Sequence, residues 1–440
     1  MTKLEPGLAG EPGVSVGAEF ILLGVPDLNG SIRGKALRPA AFQSAVANGT
    51  VITDLLLGLD PVDVPITDYE RFGIRSGAGD LRLCPELGTL RDLSWRPGWQ
   101  LCLATPLWLD GTTCELAVRA VLRRALADIA ELGYEVLAAF EYEVRIFDRD
   151  GGPLSSGISY SLAEVHRFDE FIVRLDGALS GLGIELSAVH TEAGPGLLEV
   201  NIAARRGMQA ADDASMLKLA VKAVAATLGL RASFLAKTVP GEEGSGGHVH
   251  FSCWREGENA FSGSAGGLPG ALQAAVGGIL NHLAGASLLL NPTINSYKRL
   301  VPGYFAPVNA SWGIENRSTA VRVIRSDRLE LGRLECRRPG ADANPYLALA
   351  ALTVAAADGI RLGTTPPPPA TGDASQQQQQ FAALPASLEA ALQAFSADDV
   401  LRRSLGAEFS DYYAISRAWE LKAWQEAVSE WERARYERAV

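Results

Sequence analysis

The chain has 440 residues and a net charge of −11, with 47% apolar and 21% charged residues. This balance is typical of a globular protein, and the length suits one small domain followed by a larger one. The negative charge argues against nucleic acid or an anionic membrane as the main partner. The five cysteines are scattered and include no CxxC pair, so we expect neither a disulfide framework nor a zinc–thiolate site.

No secretory signal is visible at the start of the chain, where Gly and Pro are frequent. The longest nearly apolar stretch, Tyr346 to Ala357, is too short to span a bilayer. We therefore expect a cytoplasmic protein with no membrane partner.

The sequence predicts a flexible start, two domains and several helices. Residues 1–17 are expected to be flexible. From Phe20, short apolar runs separated by turn signals predict a β-rich domain over 18–112, and residues 113–440 form the second domain. Within that second domain, apolar residues at three- and four-residue spacing predict helices near 118–132 and 211–228.

The last quarter of the chain contains one low-complexity segment and a helical tail. Residues 364–380 are rich in Pro and Gln, which predicts an exposed, mobile loop. The tail from Leu384 has a helical pattern, in which Trp419, Trp424 and Trp431 are expected to pack against the fold.

The most informative segments alternate apolar residues with residues that bind metals or anions. In "FEYEVRIF", Glu141, Glu143 and Arg145 share one face of a predicted strand. The same alternation places these residues on one face of other strands: Glu199 and Asn201; His248, His250 and Ser252; Arg333, Glu335 and Arg337; and His190 with Glu192.

Each of these strands alone is most simply a half-exposed strand, and a single histidine is more often structural than a ligand. Together they suggest a site that binds ions, because like charges on one sheet repel unless ions lie between them. Carboxylates with a histidine suit Mg²⁺ or Mn²⁺, and arginines suit phosphate and carboxylate groups. This combination indicates phosphoryl transfer. A Walker loop is absent, since Asn29 stands at its first glycine position and Ala36 follows Lys35.

Five segments in order resemble the type I branch of the glutamine synthetase family: "DLNGSIRGKAL", "GSGGHVHFS", "NPTINSYKRLVPG", "WGIENRSTAVRV" and "GADANPYLALAAL". The resemblance implies an α+β fold with an N-terminal β-grasp domain. It also implies a C-terminal catalytic domain whose antiparallel sheet forms a funnel surrounded by helices. Family members form rings, commonly dodecamers, with the active site between subunits.

The resemblance also assigns roles to residues of this chain. It implies one metal site formed by Glu143, Glu192 and Glu199, and a second formed by Glu141, His248 and Glu335. Further roles follow by motif: Arg299, Arg337, Glu243, Gly244 and Tyr160 for substrate binding; Arg317 and Arg322 for the transferred phosphate; and Ser252, Arg333 and Arg317 for ATP. The implied ligase phosphorylates the γ-carboxylate of glutamate with ATP, and an amine then displaces the phosphate.

The chain departs from the ammonia-using members of the family at the amine site. Phe305 stands where those enzymes have a Glu that helps deprotonate ammonium, and a phenyl ring cannot accept a proton. The segment that supplies a second acidic residue is replaced by "RFGIRSGAGD". "YFAPVNASWGIENR" resembles members that join glutamate to organic amines, in which Phe305 would contact the amine.

Two other departures concern the acid substrate. Glu243 stands where an Asn is usual, and Leu197 replaces a common Gln near Glu199. L-Glutamate is the expected acid, with an analogue left open. A true glutamine synthetase and a non-catalytic structural homologue remain the alternatives to a γ-glutamyl–amine ligase.

Overall fold

The structure, a computed structural model, describes residues 17–263, 267–326, 328–377 and 379–439. The predicted flexible start, 1–17, lies outside the described residues except for Gly17. Strands and helices are numbered separately in chain order below.

The first sheet in the described chain has six strands and is mixed, because β1 and β6 pair in parallel and the other pairs are antiparallel. Its elements are β1 (Phe20–Pro26), β2 (Ile32–Leu37), α1 (Pro39–Asn48), β3 (Thr50–Thr53), β4 (Asp80–Pro85), β5 (Arg91–Asp92) and β6 (Trp99–Leu107). The side chain of Phe42 on α1 is buried in a core with Ile21, Leu23 and Leu83 of the strands. This is the predicted N-terminal β-rich region.

The second sheet has ten strands in the described chain and runs in the order β14-β15-β16-β12-β7-β9-β8, with short strands added at β7 and β12. Its strands are β7 (Glu135–Phe147), β8 (Leu186–Thr191), β9 (Leu197–Ile202), β10 (Arg205–Arg206), β11 (Arg231–Ser233), β12 (Gly247–Arg255), β13 (Glu258–Asn259), β14 (Trp312–Ile314), β15 (Val321–Ile324) and β16 (Arg333–Cys336). All pairs are antiparallel except β14 with β15.

Helices surround this sheet, as expected for an α+β fold. Their bounds are α2 (Val118–Glu131), α3 (Leu162–Val165), α4 (Asp169–Gly181), α5 (Met208–Thr227), α6 (Gly270–Leu290), α7 (Ser296–Arg299), α8 (Pro345–Leu362), α9 (Leu388–Ala397), α10 (Asp399–Leu405), α11 (Ala407–Glu426) and α12 (Glu430–Tyr436). Helices α2 and α5 confirm the two predictions from periodicity within three residues at either end.

Helix α8 illustrates how the sequence fixes an element. The Asn344 side chain accepts hydrogen bonds from the backbone N–H of Tyr346 (3.0 Å) and Leu347 (3.4 Å), Pro345 occupies the first turn, and Gly363 ends the helix with φ +63°. The Asn344 Nδ2 also donates to the carbonyl of Asp27 (2.9 Å), so the same side chain joins the helix to the first sheet.

The expectation that no apolar stretch is long enough to span a bilayer needs correction. Helices α6 and α8 are both long and apolar enough to cross a membrane. However, 78% of the most apolar window in each is buried inside the fold, where the two helices pack against each other. Core burial therefore accounts for their composition.

Two expectations about packing need correction. Trp424 and Trp431 are 55% and 62% exposed, and only Trp419 packs against the main core. The loop at 364–380 is not uniformly exposed, because Ala370 and Ala374 are buried and form a small cluster with Phe381.

The two sheets share one large hydrophobic core. The Tyr69 hydroxyl donates to the carbonyl of Tyr412 on α11 (2.9 Å), and the two rings lie 5.0 Å apart. Tyr412 in turn bonds the carbonyl of Leu57. The predicted boundary near residue 112 stays a prediction.

Candidate active site

The antiparallel pairing of β7 with β12 places Glu141 opposite His248. The His248 Nδ1 lies 2.8 Å from Glu141 Oε1, and the His250 Nε2 lies 3.2 Å from Glu141 Oε2. Burial opposes ionisation of Glu141, but the two imidazoles outweigh it and hold its pKa below the usual range. Glu141 is therefore a carboxylate with two imidazole neighbours.

Glu335 on β16 completes this first cluster. It is opposite His250 in the register, and its Oε1 lies 3.6 Å from the His248 Nδ1. Arg322 Nη1 donates to Glu335 Oε2 (3.0 Å), and Arg337 also bonds the carboxylate. Burial favours the neutral acid, but Arg337 and the histidines lower the pKa of Glu335 to about 2.

The predicted trio of Glu141, His248 and Glu335 therefore lies together. His250 belongs to the same cluster, because Glu141, His250 and Glu335 each offer a ligand atom within 4.8 Å of the others. The sequence placed His250 on the correct face, but the resemblance assigned it no ligand role.

A second cluster forms where β8 and β9 meet β7. The His190 Nε2 lies 2.8 Å from Glu199 Oε1, and its Nδ1 lies 3.3 Å from Glu192 Oε1. Glu143 faces Glu199 in the register of β7 and β9 and accepts the N–H of Gly246 (2.6 Å). The predicted trio of Glu143, Glu192 and Glu199 is thus together, with His190 added.

This second cluster has an excess of negative charge. Burial, with the charges of Glu143 and Glu199, raises the pKa of Glu192, while His190 opposes the shift. Burial opposes protonation of His190, but the carboxylates of Glu199 and Glu192 raise its pKa. The buried His190 Nδ1 has no hydrogen-bond partner among the described residues.

Both clusters have the chemistry of divalent-cation sites. Carboxylate oxygens with one or two imidazole nitrogens suit Mg²⁺ or Mn²⁺. A cation beside Glu192 would relieve the repulsion between Glu192 and the carboxylates of Glu143 and Glu199. The residues present fit two metal ions, and they suit Mg²⁺ and Mn²⁺ equally.

Arginines and glycines line the adjoining part of the site. Arg299 is 4% exposed, and its Nη2 lies 3.4 Å from the His248 Nε2. A Cβ on Gly244 would lie 2.7 Å from Arg299 Cγ, and one on Gly246 would lie 2.9 Å from Arg299 Nη2. Only glycine fits beside Arg299 at these two positions. Arg337 is also buried, within bonding distance of Glu335.

Arg145 supports the loop that carries Glu243, a role that the sequence reading missed. Arg145 is 1% exposed; its Nη1 donates to Glu242 Oε2 (2.6 Å) and its Nη2 to the carbonyl of Glu243 (3.1 Å). Burial, then Glu143, raises the pKa of Glu243, against the opposing charge of Lys237 and others. The position of Arg145 on the polar face of β7 is the sequence signal that points to this role.

Two of the residues predicted to bind ATP, Arg333 and Ser252, lie on β16 and β12. Arg333 Nε donates to the His250 Nδ1 (3.1 Å), and the buried Ser252 accepts the indole N–H of Trp254 (3.0 Å). Arg333 is therefore beside the first cluster, and Ser252 follows His250 by two residues on β12. Their contact with ATP is an expectation.

A cavity of about 800 Å³ is lined by Phe305, Glu315, Arg317 and residues of the 364–380 segment. Phe305 is 59% exposed and has φ +51°, a left-handed conformation that is unusual for a bulky residue. Glu315, with φ +52°, accepts Arg322 Nη2 (2.7 Å). Arg322 thus links the cavity wall to Glu335.

Tyr160 lies beside the second cluster. It has φ +55°, and its ring lies 4.6 Å from the imidazole of His190. Burial, with the charges of Glu192 and others, raises the pKa of Tyr160, and the guanidinium of Arg317 opposes this shift. Arg317, which lines the cavity, is therefore close enough to act on the same group.

Comparisons with known proteins agree with this geometry. Residues 115–436 match the family model described as glutamine synthetase, catalytic domain. The chain is 34% identical to a glutamate–isopropylamine ligase of a Pseudomonas species, over 95% of both chains. It is 33% identical to a glutamine synthetase of Thermotoga maritima, over 95% of this chain and 96% of the relative.

A further relative and a solved structure also match most of the chain. A gamma-glutamylethanolamide synthetase of Streptomyces coelicolor is 31% identical, over 94% of this chain and 91% of the relative. A solved structure titled "Apo GmaS without ligand" superposes with a TM-score of 0.85 at 29% identity, over 96% of this chain and 97% of that one.

These matches define an ATP-dependent ligase that forms C–N bonds. The chain belongs to the glutamine synthetase family, and it resembles the members that use organic amines. The alternative of a non-catalytic homologue is set aside, since all six predicted metal ligands are retained and lie in two compact groups.

Proposed function

We propose that this enzyme joins the γ-carboxylate of L-glutamate to an organic amine through γ-glutamyl phosphate. The observation that carries the choice of amine is Phe305, whose exposed ring lines a cavity that Arg322 links, through Glu315, to Glu335 of the first cluster. Ammonia-using members of the family have an acidic residue at this position. An aromatic ring provides an apolar or cation–π surface for the alkyl part of a larger amine.

Each step of the reaction has candidate residues. Arg299 and Arg337 hold the carboxylate of glutamate, and Arg333 with Ser252 contacts ATP. An oxygen of the γ-carboxylate attacks the γ-phosphorus of ATP, the bond to ADP breaks, and an acyl phosphate forms. The amine nitrogen then attacks the acyl carbon, inorganic phosphate leaves, and the nitrogen loses a proton to form the amide.

Arg317 and Arg322 would neutralise the phosphoryl group during both steps. Divalent cations bound at the two clusters, Mg²⁺ or Mn²⁺, would supply further charge neutralisation and orient the phosphates. Glu243 lies where it can attract the α-ammonium of glutamate, with Arg145 fixing its backbone.

Overall identity does not separate this proposal from a true glutamine synthetase. The relative named for isopropylamine is 34% identical and the Thermotoga glutamine synthetase is 33% identical. The distinction therefore depends on the amine site, where Phe305 favours an organic amine and leaves the ammonia reaction as the second candidate.

We further propose that the enzyme assembles into a ring, a dodecamer by family resemblance, and acts in the cytoplasm. The exposed side chains of Trp424 and Trp431 at the end of the chain favour association with other subunits.

The test is phosphate release by the purified enzyme with ATP, Mg²⁺ and L-glutamate. Ammonia is compared with putrescine, spermidine, ethanolamine, methylamine, isopropylamine and aniline, and product masses are recorded. Strong turnover with an organic amine and little with ammonia supports the proposal. Turnover with ammonia alone would replace it with a true glutamine synthetase.

A further inference from the structure

Part of the 364–380 segment forms a wall of the cavity that contains Phe305. Five of its residues line the cavity: Ala370, Thr371, Gly372, Asp373 and Ser375. The amine site proposed above is therefore bordered by a segment that sequence composition alone would treat as a loop without a specific role.

Hydrogen bonds hold this wall in place. Asn316 Nδ2 donates to the carbonyl of Gly372 (2.8 Å), and the N–H of Ala374 donates to Ser318 Oγ (2.9 Å). Asn309 Nδ2 donates to the carbonyl of Ala374 (2.9 Å). Because Asn316 and Ser318 flank Arg317, the wall is fixed directly to the turn that carries a phosphate-binding candidate.

The cavity is lined by two carboxylates that differ in their partners. Glu315 is paired with the guanidinium of Arg322. Asp373 accepts the N–H of Ser375 (2.9 Å) but forms no ion pair in the part of the chain that the structure describes. Hydrogen bonds from Ser375 lower the pKa of Asp373, so its negative charge is available to a cation in the cavity.

We propose that Asp373 attracts the alkylammonium form of the amine substrate into the cavity and thereby sets the preference for cationic amines. Aliphatic amines are protonated near neutral pH, so the site needs an anionic group to draw them from water. Phe305 cannot supply one, and Asp373 lies on the same cavity. This inference rests on the proposed function and assigns the recognition charge to the 364–380 segment.

The test compares the wild-type enzyme with Asp373→Asn, which keeps an oxygen that can accept the Ser375 N–H. Asp176→Asn, on the exposed surface of α4, is the matched loss of one negative charge elsewhere. Two nucleophiles are used: isopropylamine, which is cationic near neutral pH, and hydroxylamine, which is largely neutral there.

For Asp373→Asn we expect KM for isopropylamine to rise about fivefold, the size of one solvent-exposed charge contact. KM for hydroxylamine, KM for ATP and glutamate, and kcat stay unchanged, and Asp176→Asn behaves as wild type. Asp373→Glu, which keeps the charge, recovers most of the isopropylamine affinity.

An unchanged KM for isopropylamine in Asp373→Asn would overturn the inference, and so would an equal rise for hydroxylamine, which would indicate an altered cavity shape. In both cases the wild-type enzyme is still active with organic amines, and the proposed function stands. A wild-type enzyme that uses no organic amine would instead overturn the proposed function itself.

Discussion

Strands β7, β8, β9, β12 and β16 carry the ligand residues of the two clusters, apart from Glu192, which directly follows β8. Loops carry most residues of the amine cavity. On the sheet, backbone pairing fixes which side chains face each other, so Glu141 must meet His248 and Glu143 must meet Glu199. Around the cavity, Phe305 and Glu315 adopt left-handed backbone conformations and their neighbours are held by side-chain hydrogen bonds.

This difference separates the metal ligands, which we expect members of the family to share, from the amine-site residues, which we expect to differ between members. A change in the sheet would disturb several paired charges at once, since five of the six predicted ligands, all but Glu143, have an oppositely charged or imidazole neighbour within about 4 Å. A loop residue such as Phe305, whose ring is mostly exposed, can change without disturbing the clusters. Substitutions on the sheet should therefore abolish catalysis, and substitutions at the cavity should redirect it.

The largest effect is expected for Glu335→Gln. The substitution removes the charge that Arg322 and Arg337 neutralise and weakens the first metal site, so kcat should fall about 10³-fold. Phosphate release measures this loss, with Glu131→Gln on the exposed face of α2 as the control. A Glu335→Gln enzyme of native thermal stability and undiminished kcat would contradict the assignment of this cluster.

A smaller loss is expected for His190→Gln, which tests the ligand that the resemblance did not assign. Removing the imidazole should weaken Mn²⁺ binding about tenfold or more, because it lies against both Glu192 and Glu199. Calorimetric titration of the metal without ATP gives the affinity directly. The control His166→Gln removes an exposed histidine. Equal affinities in both variants would exclude His190 from the metal site.

Phe305→Glu tests whether the loops around the cavity select the amine. A carboxylate on the cavity wall should increase the ratio of ammonia to isopropylamine turnover about tenfold, without changing KM for ATP. Phe305→Leu separates charge from the loss of the ring, since it is apolar and uncharged. If both variants shift the ratio equally, the charge at this position does not select the amine.

The smallest effect on catalysis is expected for His282, which pairs helix α6 with α8 and with the residue that precedes α10. His282 on α6 bonds Asp398 (2.9 Å) and Asp358 (3.1 Å). Burial opposes protonation, but the two carboxylates raise the pKa of His282. The stabilisation is therefore complete below the unfolded pKa of about 6.5 and is lost as the pH rises through the folded pKa.

His282→Gln should lower the free energy of unfolding by about 2 kcal/mol near pH 6, with a smaller difference at alkaline pH. Denaturant unfolding at several pH values measures the difference, and His166→Gln is again the exposed control. A difference that grows with pH would contradict the charged pairing. Amine selectivity should not change.

The sheet side of the site could be predicted from the sequence because a period of two fixes which residues share a face. Glu141, His248 and Glu335 were placed by alternation and by family motifs, and the structure brings them together. His190 and His250 lie on the predicted faces, but alternation gives only the face of the strand and not the side chain on the neighbouring strand that each imidazole contacts.

The cavity could not be predicted in the same way. The position of the 364–380 segment depends on hydrogen bonds to Asn309, Asn316 and Ser318, residues more than 50 positions earlier in the chain. Low-complexity composition carries no such information, so Ala370 and Ala374 were expected to be exposed. The packing predicted for Trp424 and Trp431 was wrong for a different reason. Helical periodicity shows which residues share a face, but not whether another part of the fold covers that face, and both side chains are mostly exposed.

The central claim is that the cavity selects an organic amine over ammonia. The most direct test gives the enzyme ATP, Mg²⁺ and L-glutamate with ammonia and, at equal concentration, the organic amine that the panel shows to have the highest turnover, and quantifies both amides by mass spectrometry. The account predicts that the γ-glutamyl amide of the organic amine is the main product. Glutamine as the main product would contradict it and would identify the chain as an ammonia-using glutamine synthetase.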